Sequence, residues 1–253
     1  MFDRRLIAAD VLKLRRRRGM LSITLLLTLG SMALVFIVMA IQHAGNPAEY
    51  GPAGGLENYR ENMSFLGLMA LVVGAIVGAT AGTQDLESGV FRDLAATGRS
   101  RTALFASRVT GAWAVVLPII ALAAGVSGAA ATALAGSLAA PDVGALIAGT
   151  ASVLAAAALG TAMAVGLSVL VGSRGPVIGI LLAFYLAIQP LVIGMGFLGD
   201  VRQVMPAAAL NRIGDLPQQG DLHVALAIAI LAVIVWAASS LGLGAWRTRT
   251  REI

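Results

Sequence analysis

The chain is predicted to be an all-α, polytopic membrane protein, and three observations predict it. Six stretches, residues 19–41, 63–83, 109–134, 143–171, 175–198 and 224–246, are apolar and free of charged side chains. Crossing a hydrocarbon core of ~30 Å takes about 20 helical residues, so each is long enough to span. The composition agrees: 58% of the 253 residues are hydrophobic and 12% charged, where a soluble domain carries about 25% charged. The third observation is the sorting of Lys and Arg between alternate loops, taken up below.

The first apolar run follows Arg15–Arg18 directly. It is longer than the core of a secretory leader, about 7–15 residues, and is read as a span. Before it, Phe2, Leu6, Ile7, Val11 and Leu14 recur at helical spacing, with Asp3, Arg4, Asp10, Lys13 and Arg15 mostly elsewhere around the helix. Residues 1–18 are therefore predicted to form an amphipathic helix on the inner leaflet, its basic end toward anionic lipid.

The second span repeats glycine at Gly74, Gly78 and Gly82. Small residues on one face let helix backbones approach closely, which in lipid stands in for the missing hydrophobic drive. The stripe serves either packing within one chain or a dimer or gate contact. In the third and fourth spans Ala and Gly are so frequent that no repeat stands out. Pro118 lies inside the third span and Pro190 inside the fifth, as sites of bending.

The loops divide by charge. One side holds Arg4, Arg5, Lys13, Arg15–Arg18, Arg92, Arg99, Arg101, Arg108, Arg174, Arg247, Arg249 and Arg251. The other has Arg60, Arg202 and Arg212 among Glu49, Glu57, Glu61, Asp142, Asp200, Asp215 and Asp221. The positive-inside rule places both termini and residues 84–108 in the cytoplasm of a plasma-membrane protein. The chain is read as one transmembrane domain, residues 1–253. In the outer loop 199–223, Met205-Pro206 opens a short helix. Because 191–198 is still apolar, this region is expected to be open to re-entry into the outer leaflet, as part of a substrate exit.

Residues 84–108 form a charged interruption between two spans, read as two short helices about a Thr97-Gly98 turn, the second capped by Ser100. Leu86, Val90 and Leu94 recur every four residues, with Phe91 beside them as an aromatic anchor. Asp85, Glu87, Arg92 and Asp93 supply mixed charge for register and steering.

Several chemistries are excluded or disfavoured. With no cysteine and two histidines, no metal site is expected. The basic residues abut apolar runs without interleaved aromatics, which argues for topology and against nucleic acid. No phosphate loop of the G-x-x-x-x-G-K-[ST] kind occurs. An ion-coupled carrier usually needs an ionisable site inside the bilayer, and the spans hold none. Gly125-Val126-Ser127-Gly128 spells the GxSG of six-span intramembrane serine proteases, whose chemistry needs a histidine within reach of the serine, here His223. A scaffold or carrier that works without any ATPase is the remaining alternative.

Six spans, an amphipathic N-terminal helix and a charged loop between spans two and three resemble the type-2 ATP-binding-cassette (ABC) exporter permeases. The local likeness lies in Glu87, Gly89, Leu94, Ala96-Thr97 and Arg101, and in the MPAAALNRI segment before the last span. Gly98 stands where the family often has proline. The resemblance implies a non-enzymatic permease subunit that pairs with a second permease chain, identical or related. It implies a separate cytoplasmic ATPase holding ATP and Mg, with no cofactor on this chain. A coupling helix would meet that ATPase through Asp85, Glu87, Phe91, Arg92, Leu94, Thr97, Arg99 and Arg101. The cargo moved outward is unidentified, and the apolar spans are compatible with a lipophilic or amphipathic one.

Overall fold

The computed structural model describes residues 4–87, 89, 100–218 and 222–250. Among them every regular element is helical: α1 (Arg4–Arg15), α2 (Arg18–Gly45), α3 (Leu56–Glu87), α4 (Arg101–Ala133), α5 (Val143–Val171), α6 (Arg174–Gly194), α7 (Pro206–Ile213) and α8 (Leu226–Thr250). A 3-10 segment, Gly196–Val204, joins α6 to α7. Six of these, α2 to α6 and α8, are long and apolar enough to cross a membrane. The protein is a multi-pass membrane protein by this measure.

Helix ends explain where hydropathy and structure part. α5 occupies the predicted residues because Asp142 accepts from Ala145 N and Gly172 takes the left-handed conformation that ends it. α4 begins at Arg101, not at residue 109, because Ser100 caps it through Ala103 N. α3 begins at Leu56, not at residue 63, and so carries Glu57, Arg60 and Glu61 on its first turns. α6 stops at Gly194 although the chain stays apolar to Leu198.

At the centre α3 packs along α5. A methyl group added at Gly74 would lie 2.7 Å from Thr161 N, and one at Gly78 2.7 Å from the Thr161 carbonyl oxygen. At Gly82 it would meet the Ser168 side chain at 2.5 Å. The glycine stripe is thus spent inside the chain. Its counterpart on α5 is Gly160, pressed on the Leu71 backbone. Further along α5, Gly166 lies against the Ser240 carbonyl of α8. These α5 positions are the ones that composition hid. Backbones this close gain dispersion contacts that lipid cannot match.

Polar side chains in the spans mostly satisfy their own helices. The hydroxyls of Thr24, Thr80, Thr83, Thr161 and Ser168 each donate to the carbonyl four residues back. Two π-turns interrupt the α pattern, Leu26–Gly30 in α2 and Phe184–Ile188 in α6. The second has a clear cause: Pro190 cannot donate to the Leu186 carbonyl and its ring crowds the preceding turn. In the first, Thr28 and Ser31 hydroxyls compete for the Thr24 and Leu27 carbonyls. Pro118 is different. α4 runs through it unbroken from Arg101 to Ala133.

Candidate functional site

Two places in the bundle concentrate polar side chains, one at each end. At the end carrying the arginine clusters, α3 finishes and α4 begins. Here Asp85 is buried at 7% exposure and Arg108 at 3%. Arg108 Nη2 donates to Asp85 Oδ2 at 3.2 Å, and Arg108 Nη1 to the Gly82 carbonyl at 3.4 Å. Lys13 Nζ reaches the other Asp85 oxygen at 3.0 Å and Asp10 at 3.5 Å. Ser107 Oγ completes the set by donating to Asp10 Oδ2 at 2.8 Å.

Two acids and two bases therefore neutralise one another across three helices. Burying such charges is costly unless each is paired and hydrogen-bonded, and here each is. The arrangement depends on α1 lying tight on α4: a methyl at Gly111 would meet Asp10 Cβ at 2.9 Å. Leu14 is buried beneath the helix and Val11 packs on the core. The polar side of α1, expected toward water and lipid headgroups, thus sends Asp10 and Lys13 into the bundle.

Glu87, two residues beyond at the end of α3, has a different partner. Its Oε1 accepts from Arg174 N at 2.8 Å. Arg174 opens α6, and Ser173 before it makes no side-chain cap. Glu87 therefore caps α6 from another helix, placing a carboxylate at the positive end of its dipole. Arg101 reaches the Arg249 carbonyl near the end of α8 at 3.5 Å.

Of the expected partner-contact residues, Asp85 is turned inward and held within the chain, Glu87 is exposed and bridges to α6, and Arg101 reaches α8. Phe91, Arg92, Leu94, Thr97 and Arg99, with the coupling helix itself, lie outside the described residues. Asp10, Lys13, Ser107 and Arg108 were not anticipated as a cluster. The available signal was an acid closing one span and a base opening the next, opposite charges at the two feet of one hairpin.

At the other end, α7 is fastened on three sides. Gln189 Oε1 of α6 accepts from Ala207 N at 2.8 Å, capping α7 where Met205 makes no side-chain cap. Ser152 Oγ of α5 donates to the Leu210 carbonyl at 2.6 Å, and Arg212 Nε to the Val224 carbonyl at 2.8 Å. Pro206, Ala208, Ala209 and Leu210 are buried. Between α3, α6 and α7 lies a cavity of about 380 Å³, in the size range of small-molecule pockets. A second, almost wholly apolar cavity of about 340 Å³ lies between α5, α6 and α8, lined by Leu167, Phe184 and Trp236 among others.

The protease constellation is not assembled. Ser127 is fully buried and its hydroxyl has no hydrogen-bond partner, so it does not contact His223, which is exposed. Nucleophile and base must meet for that chemistry. No group of His, Asp and Glu able to hold a metal occurs among the described residues. No protein-family model matches the chain, and no curated protein matches it either.

Proposed function

We propose that the chain is the transmembrane permease subunit of an ATP-driven exporter of the type-2 ABC kind. It works with a separate cytoplasmic ATPase and a second permease chain, in the plasma membrane with both termini inside. The observation that carries this reading is the junction of buried Asp85 and Arg108 with the partly exposed Lys13 at its edge. It clamps the two feet of the 88–100 loop to each other and to α1, and Glu87 extends the link to α6. A push on that loop is then delivered to α3, α4 and α6 together. The middles of the spans hold no ionisable side chain, which favours energy entering from outside the bilayer.

In this mechanism ATP and Mg stay on the partner. Closure of the ATPase pair displaces the loop, and the clamped helices change tilt. Glu87, Phe91, Arg92, Leu94, Thr97, Arg99 and Arg101 form the docking surface. Asp85 belongs to its foundation. The test is purification of the tagged chain from its native membrane in mild detergent, with and without nucleotide. An ATPase is expected to copurify with ATP hydrolysis intact, and to be lost from the Glu87→Ala, Phe91→Ala double variant. Recovery of the chain alone under every nucleotide condition would remove the proposal.

A further inference from the structure

The cavity between α3, α6 and α7 has an uneven wall. Leu68, Leu71 and Ile193 line its apolar part, with the Tyr185 ring beside them. Glu61, Ser64 and Asn211 line its polar part. Asn211 Nδ2 donates to Ser64 Oγ at 3.2 Å and to the Pro217 carbonyl at 2.9 Å, so these groups are fixed in place.

Glu61 stands apart from every other carboxylate among the described residues. Asp10 and Asp85 are paired with bases, and Glu57 and Asp215 with Arg60. Glu49 accepts from Asn46, Glu87 from Arg174 N, Asp142 from Ala145 N and Asp200 from Gln203. Glu61 has neither an ion pair nor a hydrogen bond. The nearest guanidinium in sequence, Arg60, is already shared by two acids. Arg212, next to Asn211, is engaged with the Val224 carbonyl and is not part of the cavity wall. Among the described residues Glu61 is the one charged side chain in the cavity wall, which leaves that wall negative. Phe65, one helical turn from Glu61, lines the same cavity. Glu61 and Phe65 are both exposed, so they stand at the mouth of the cavity, where a carboxylate and an aromatic face each attract a cation.

We propose that this cavity binds a lipophilic organic cation, its charged nitrogen at Glu61 and Phe65 and its apolar body against Leu68, Leu71 and Ile193. As the exported cargo, such a cation rests on the permease reading; as a bound ligand it does not. Binding is therefore measured on the full-length chain alone, without any ATPase, in nanodiscs of zwitterionic lipid. The probes are rhodamine 6G, a cationic dye, and Nile red, an uncharged one, followed by fluorescence anisotropy against empty nanodiscs.

Rhodamine 6G is expected to bind saturably above the empty-disc background. Glu61→Gln should weaken it about tenfold, the loss of one charge-assisted contact, and leave Nile red unchanged. Glu61→Asp, which keeps the charge, should retain most of the affinity. Leu68→Trp, which fills the apolar part, should weaken both dyes. Rhodamine 6G binding no better than to empty discs would overturn the proposal. So would an affinity unmoved by Glu61→Gln, an equal loss of both dyes in that variant, or a Glu61→Asp variant as weak as Glu61→Gln. The copurification experiment is independent of all these outcomes.

Discussion

α3 and α5 bury 72% of their most apolar windows inside the molecule, whereas α8 buries 11%, although α8 is the more apolar helix. In water that order would be a contradiction. In lipid it is what physics requires, because an exposed leucine loses nothing to a hydrocarbon neighbour. What draws a helix inward is the closeness its backbone can achieve. α3 and α5 achieve it at Gly74, Gly78 and Gly160, where helix backbones meet. α8 touches α5 at one such crossing, Gly166 with Gly244, and turns Leu226, Leu231, Ile234 and Val235 outward. Apolarity selects the spans; small residues select the centre.

Three substitutions test the contrast between centre and flank. The largest effect is expected at the centre. Gly78→Leu must displace α5 backbone rather than a flexible side chain, at a cost of about 3–5 kcal/mol. Detergent-solubilised protein should lose thermal stability sharply, and a variant as stable as the parent would mean that α3 and α5 are not so close. Next comes the charged junction. Asp85→Ala takes the carboxylate away from buried Arg108 and frees Lys13 toward Asp10, a loss of about 2–3 kcal/mol in the same assay. Adding Arg108→Met should restore much of that loss, since an apolar pair leaves no orphan charge. Failure of the second substitution to help would show that the ion pair is not the source. The smallest effect belongs to the flank. Leu231→Ala, at a site 61% exposed, should change stability by less than about 0.5 kcal/mol; a larger loss would reveal a protein neighbour there.

The same contrast marks how far the sequence could be read. Six spans followed from length and hydropathy, because those properties are local. The Ser100 cap at the start of α4 followed from a neighbouring residue for the same reason. The inner ion cluster did not, since Lys13 and Asp85 meet only after two spans have folded between them. Asp85 looked like a surface charge because nothing local reveals a partner 72 positions away. Glu87 was singled out by a family-like pattern, yet its contact, the first amide of α6, lies far along the chain. Gly160 and Gly166 were masked by an Ala/Gly background in which only a three-dimensional neighbour distinguishes one small residue from the next. The α3 wall of the Glu61 cavity was not legible either, because Glu61 and Phe65 come to face Ile193 and Asn211 only in the folded chain.

The π-turn of α6 has a further consequence. A π-turn holds one residue more than the α-turn it replaces, and one residue is about 100° of rotation. Hydropathy counts α6 as a single apolar rod, but its two halves are out of phase with each other. The first half packs against α3 and α5 and buries Val177 and Leu181, while the second half aims Gln189 at the Ala207 amide of α7. Tyr185 and Leu186, which line the Glu61 cavity, belong to the turn where the phase changes. Pro190 thus acts less as a hinge than as a setting screw: it fixes the angular offset by which one helix serves two unrelated surfaces.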